Sequence, residues 1–290
     1  MPVPENPLSA RFDRAAGAAS PHLDESEQVR AAQHSGLRPL IIHEIVREEG
    51  EAELVRTNGA LALSGFAAGL SMGFSFLTEA LLRAGLPATP WRHLIASLGY
   101  SIGFIIVVLG RQQLFTESTL TAILPLLTRR DAESSRSVAR LWSIVLAANL
   151  LGTWCFATLL LPREVFTPAV GASLTDLGNA AIQTNFAATV LKSIFAGWLI
   201  ALMVWILPSA RSARLLTVLL ITYIVALGKL SHIIAGSAEA AYAVLTGHAN
   251  FVHYLSGFLA PTLIGNVIGG VALVALLNHG TIAHEIKAKT

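Results

Sequence analysis

Charge is scarce in this chain. Asp, Glu, Lys and Arg supply 13% of its 290 residues while hydrophobic types supply 53%, and the net charge is +2. Soluble domains carry about 25% charged residues, so an ordinary soluble domain is excluded. The arginines are scattered over connecting segments, not gathered into a patch, which excludes nucleic acid as a partner. Cysteine is almost missing. Cys155 stands alone inside an apolar run, so no internal disulfide can form, and it reads as a small packing residue. No phosphate loop, nucleotide fingerprint or cluster of Cys and His occurs, and neither a cofactor nor a metal is expected. Residues 1–36 lack an apolar core and a small-residue cleavage site, and read as a flexible cytoplasmic tail, not a signal peptide.

What the chain has is long apolar runs, at a mean hydropathy of +0.61. About 20 such residues cross the hydrocarbon of a bilayer. Runs occupy Leu61–Leu82, His93–Leu127, Ser137–Leu161, Asn185–Leu207, Ala213–Leu245 and Phe251–His279, of which the second and fifth are overlong and interrupted. The expectation is an all-α membrane protein with six transmembrane spans within residues 59–280 and a short cytoplasmic tail at 281–290. Residues 37–58 put Ile41, Ile42, Ile45 and Val46 against Glu44, Arg47 and Glu51, which suits an amphipathic helix on the membrane interface. A soluble coiled-coil arm is the alternative.

Lys and Arg favour the cytoplasmic side of a span. Arg129, Arg130, Arg136 and Arg140 follow the second span, Arg211 and Arg214 follow the fourth, and Lys287 and Lys289 close the chain. The opposite connections offer Arg83, Arg92 and Arg163. Both termini are therefore expected in the cytoplasm.

Two landmarks recur. "ANLLG" holds Asn149 and Gly152, and "GNVIGG" holds Asn266 and Gly269; the two asparagines stand 117 residues apart. The second span breaks around Thr116 and the fifth around "GKLSH", ending at His232, 116 residues on. A three-helix unit thus occurs twice, and an odd number of crossings per unit forces the copies to be inverted. Inverted repeats with breaks at matching places point to a transport site near mid-membrane. Gly65, Gly69 and Gly73 fall four apart and make one smooth helix face, read with Asn149, Gly152, Asn266 and Gly269 as helix packing.

Charges inside lipid are costly, so each should face protein or water. Glu79 is expected to pair with Arg83, four residues on, and Lys192 to snorkel or pair. Arg111 suits the C-terminus of the first half of the broken second span, and Glu239 the start of the last half of the fifth. Glu117 stands at one break and either serves its own half-helix or faces the passage. His232 stands at the other, where its neutral form is available.

"LFT", "ANLLG", "GWLIALMVW", "HIIAG" and "APTLIGNVIGG" resemble, in order and spacing, the formate/nitrite transporter family, over roughly Leu37 to Gly280. Within it, "GLSMGFSF", "RQQLFTE" and "HIIAGSAEAAY" look like the YfdC-like branch. The resemblance implies a homopentamer in a bacterial inner membrane, with an aquaporin-like pore in each protomer. It implies that Thr116 lies hydrogen-bonded near His232 at the pore centre. It also implies constrictions drawn from Tyr100, Phe104, Leu114, Phe115, Ile200 and Val225, on sides left open. The solute it implies is a small monovalent anion such as formate or nitrite, crossing as its neutral acid.

Departures from the family pattern share a direction. Glu117 replaces the usual Gly or Ser, a vestibule lysine aligns with Ala181, and two pore asparagines align with Gly197 and Gly236. An ionised Glu117 would repel an anion, unless it stays neutral or pairs with Lys229 or Arg111. The reading is a membrane pore whose selectivity is set by Thr116, Glu117, His232 and Lys229. The alternatives are a pore for a small cation or neutral solute, and a sealed scaffold closed by a Glu117–Lys229 bridge. An intramembrane hydrolase is rejected, because the chain neighbours Ser231 and His232 are poorly placed to address one another.

Overall fold

The computed structural model describes residues 20–34, 36–162, 164–183 and 185–287. Most of the expected N-terminal tail, Arg163 and Lys289 lie outside them. Within the tail, α1 (Glu25–His34) is helical, and α2 (Pro39–Leu54) follows where the amphipathic helix is expected. Among the described residues, five helices are long and apolar enough to span a bilayer: α3 (Asn58–Gly85), α4 (Arg92–Leu109), α7 (Ala132–Leu159), α9 (Phe186–Ile206) and α12 (Phe251–Ile282). Beyond a break, α4 continues as α5 (Phe115–Thr121) and α6 (Ile123–Arg129). The remaining crossing is divided between α10 (Arg214–Leu227) and α11 (Ala235–Leu245), each too short to cross alone.

The helices begin where capping chemistry starts them. Thr57, Asp131 and Asn185 accept from the backbone N–H three residues on, opening α3, α7 and α9, and Asn250 does the same for the last span. Arg47 of α2 bridges Glu44 (2.8 Å) and Glu51 (2.6 Å), and Glu51 also pairs with Arg129 at the end of α6. Buried His43 meets His279 (3.1 Å), tying α2 to the end of the last helix.

One helix is absent from the sequence reading. Helix α8 (Pro168–Ile182) lies between the third and fourth spans. It is too short to span and carries little charge to give it a polar face, so neither signal marks it. It is the counterpart of α2. A Cβ on Gly50 of α2 would strike the carbonyl of Thr121, and one on Gly178 of α8 would lie 3.0 Å from the carbonyl of Glu239. Each repeated unit of three crossings is therefore preceded by a short helix.

The glycine face packs as its spacing predicts. A Cβ on Gly65 would lie 3.0 Å from Ala148, one on Gly69 would strike the Asn149 backbone, and one on Gly73 would strike the Phe156 ring. Gly152 approaches the Phe66 carbonyl, and Gly269 the Ile194 carbonyl. The α3–α7 and α9–α12 pairs thus touch backbone to backbone, which small residues permit in lipid.

The asparagines do something else. Asn149 Oδ1 accepts from Phe115 N (2.9 Å), while its Nδ2 donates to Gln113 O (3.0 Å) and Gly65 O (2.7 Å). Asn266 repeats this with Ile233 N (2.8 Å), Ser231 O (3.0 Å) and Ser193 O (2.8 Å). Each clasps one break in addition to packing two helices together, a role that their reading as helix-packing residues does not include. Register is corrected. Gly110, Arg111, Gln113 and Phe115 match Gly228, Lys229, Ser231 and Ile233, a shift of 118 residues, which makes Leu114 the counterpart of His232. Thr116 is the partner of His232, not its copy. Arg111 (φ 49) and Lys229 (φ 47) both end their half-helices in the left-handed region, where a side chain is strained.

Replacing Asn149 or Asn266 by Ala leaves a buried N–H unpaired, which costs about 1–3 kcal/mol. Both variants are expected to melt below the unaltered chain in detergent. An unchanged melting midpoint would show that the breaks are held by other contacts.

Candidate functional site

Two cavities meet the broken helices from opposite sides. The near cavity, about 640 Å³, lies beside α2 and is lined by Glu49, Glu53, Arg56, Glu117 and Arg214 among others. The far cavity, about 130 Å³, reaches His232 and carries Glu79, Lys192, Lys229 and Glu239. Along α4, Val108 lines the near cavity and Tyr100 the far one; Phe104, a turn from each, lines neither and is fully buried. On α9, Val204 lines the near cavity, Lys192 the far one, and Ile200 is buried between them. Phe104 and Ile200 are therefore buried between the two cavities.

Of the other expected constriction residues, Val225 joins Tyr100 on the far cavity, and Leu114 and Phe115 are buried in the same apolar cluster. Phe115 also packs edge-on against Trp142 at 5.8 Å, so its ring belongs equally to a helix contact.

His232 is buried, with the Phe104 ring 5.0 Å away and edge-on. Its Nε2 lies 2.8 Å from Thr116 Oγ1. On the other side of the ring, Nδ1 accepts from the backbone N–H of Ile234 (3.3 Å) and Ala235 (3.2 Å), capping α11. Two donors facing Nδ1 leave it no proton of its own. The imidazole proton therefore sits on Nε2 and is donated to Thr116.

The remaining charges are divided in a way the sequence does not indicate. Glu117 lines the near cavity and Lys229 the far one, so the Glu117–Lys229 bridge does not exist. Arg111 stands just past the end of its half-helix, as expected, and its side chain reaches Glu49 of α2 (3.5 Å), not Glu117. Arg83 bonds Asp176 of α8 (3.3 Å), not Glu79. Lys192 faces the far cavity together with Ala181. Three buried polar atoms without partners among the described residues, Glu117 Oε1, Gln112 Oε1 and Arg214 Nε, all belong to residues lining the near cavity.

Glu53 is the member that sequence reasoning misses. It accepts from Thr121 (2.7 Å) and Ser118 (3.4 Å); Ser118 accepts from Gln113 (3.0 Å), whose side-chain carbonyl accepts from Arg56 (2.8 Å). Burial pushes the Glu53 carboxyl above its ordinary range, against the hydrogen bonds from Thr121 and Gln113. On an amphipathic helix such a residue reads as part of a solvated face.

Comparison with known proteins gives a consistent result. Residues 41–280 match the family model described as formate/nitrite transporter. The chain is 38% identical over 252 residues to inner membrane protein YfdC of Escherichia coli (strain K12), covering 87% of this chain and 81% of that one. It is 27% identical over 237 residues to formate channel FocA of the same strain, covering 71% of this chain and 80% of that one. Its fold is similar to that of a pentameric formate channel with formate bound, at a TM-score of 0.67 and 22% identity, over 76% of this chain and 95% of that one.

Thr116→Val removes the acceptor of the imidazole proton at nearly constant volume, leaving a buried donor unpaired at about 1–3 kcal/mol. The variant is expected to melt early in detergent, and Thr116→Ser to melt like the unaltered chain. Equal midpoints for the Val and Ser variants would refute the assigned bond.

Proposed function

Because the chain belongs to the formate/nitrite transporter family, we propose that each protomer is a pore for a small monovalent anion of the formate or nitrite kind, which crosses the throat as its neutral acid. The observation that carries this reading is the bond between Thr116 and His232, set where two broken helices meet, with a cavity on either side. An apolar throat rejects a bare ion far more strongly than its neutral conjugate. Thr116 offers that conjugate a hydroxyl proton, and the fixed Nε2–H of His232 holds the hydroxyl in place.

The same reading makes the protein a homopentamer, since a solved structure of similar fold is a pentameric channel. Exposed Leu63, Leu151, Leu191 and Leu215 supply apolar surface for lipid or neighbouring subunits. A bacterial inner membrane is supported by the name of the YfdC relative, and cytoplasmic termini by the arginines of the connecting segments. The near cavity then faces the cytoplasm and the far cavity the outside. The chain acts as a transporter and not an enzyme.

Glu117 tunes selectivity from the cytoplasmic cavity. An ionised carboxylate ~4 Å from an anion, at an effective dielectric of ~20, opposes it by about 4 kcal/mol. Glu117→Gly is therefore expected to raise formate flux into liposomes, and to shift the ratio of anion to cation flux toward the anion, at an alkaline pH where the buried carboxyl ionises, with little effect at an acidic pH where it is neutral. An unchanged ratio at the alkaline pH would remove Glu117 from the selectivity mechanism. Formate flux no greater than in protein-free liposomes would overturn the pore reading itself.

A further inference from the structure

Two carboxylates in the far cavity are not used by the pathway described so far. Glu79 of α3 and Glu239 of α11 both line the cavity that ends on His232. Among the described residues, neither carboxylate has a hydrogen-bond or ion-pair partner, and Glu79 is only 6% exposed. The other titratable groups facing them are Arg83, His93, Tyr100, Lys192, Lys229 and His232. Arg83 is already engaged by Asp176.

The internal repeat shows what is unusual here. The counterpart of Glu239 is Thr121, whose carbonyl meets Gly50 as that of Glu239 meets Gly178. Thr121 donates to Glu53 at 2.7 Å. By the same alignment of α2 with α8, Glu53 corresponds to Ala181, which lines the far cavity without a side chain that could reach Glu239. The far copy thus has an acid in place of a hydroxyl, and no partner for it among the described residues.

His232 is poorly built to give a proton to an arriving anion. Its Nε2–H is held by Thr116, and Nδ1 is occupied by the Ile234 and Ala235 N–H groups. Releasing the first would leave an imidazolate, and protonating the second would break the cap of α11. The proton must come from another group on the cavity wall. We propose that Glu239 and Glu79 form a proton relay that neutralises a small monocarboxylate anion in the far vestibule, before it meets the throat.

This relay rests on the reading of the pore as a weak-acid path. In the step itself, the O–H bond of the Glu239 carboxyl breaks as an O–H bond forms on the anion. The resulting Glu239 carboxylate takes a proton from Glu79, and Glu79 takes one from outside water. One anion and one proton leave the outer solution together, so no net charge crosses. Lys192 and Lys229 hold the anion in the cavity and offset the negative charge left by the transfer.

The test uses the full chain in liposomes, with formate influx measured against external pH from about 5 to about 8. Without a relay, influx follows the bulk concentration of formic acid and falls about tenfold per pH unit. With it, the unaltered chain is expected to lose less than about threefold per unit. Glu79→Gln, Glu239→Gln and the double variant are expected to restore the steep fall. A steep fall in the unaltered chain overturns the relay whether or not the variants fold, and so does a shallow fall in the double variant. Influx equal to that of protein-free liposomes at every pH overturns the pore reading and the relay with it, a result distinguishable from either slope.

Discussion

Backbone that leaves a helix deep in a bilayer finds no water to bond, and each unsatisfied N–H or carbonyl there costs several kcal/mol. This chain breaks two helices at that depth. Asn149 and Asn266 meet the requirement, each accepting from one N–H of a break and donating to one carbonyl of it. Their remaining protons go to Gly65 and Ser193, which ties each break to the first span of its own unit. Close helix contacts at Gly69 and Gly152, and at Gly269, hold the asparagine-bearing helices against those spans. The throat can be dry because its backbone is already satisfied.

That scaffold is symmetric, and its contents are not. At the centre, one break presents Leu114 and the other His232. On the α2 side, Glu53 is embedded among Thr121, Ser118 and Gln113, and three polar atoms nearby lack partners among the described residues. The smaller cavity opposite combines carboxylates with lysines directly on the path to His232. The two cavities therefore present different electrostatic environments on either side of one buried apolar cluster. The low dielectric of that cluster makes both of them felt at short range.

Much of this is legible in the sequence, because hydropathy and small-residue spacing report on lipid and helix contact directly. The spans, the broken second and fifth helices and the Gly65–Gly69–Gly73 face follow from that chemistry. The approach of Thr116 to His232 follows from family resemblance and is present as a 2.8 Å contact. Other features depend on three-dimensional neighbours. Helix α8 is too short to span and holds Asp176 as its single charged residue, so neither length nor charge announces it. Arg83 and Glu79 are one turn apart, yet Arg83 takes Asp176 from a helix distant in sequence. The supposed partners Glu117 and Lys229 are drawn together by opposite charge on paper, while the fold sends them to opposite sides of the throat. The 116-residue and 117-residue spacings locate the repeat within two residues; only the hydrogen bonds fix its register.

The two asparagine clasps read main-chain atoms alone. They grip the residues before and after Leu114 and the residues before and after His232, and leave the middle side chain of each break untouched. A duplicated ancestor could thus diversify the heart of its channel one side chain at a time, with the asparagine clasps indifferent to the change. Histidine in one half and leucine in the other is the kind of divergence such indifference allows.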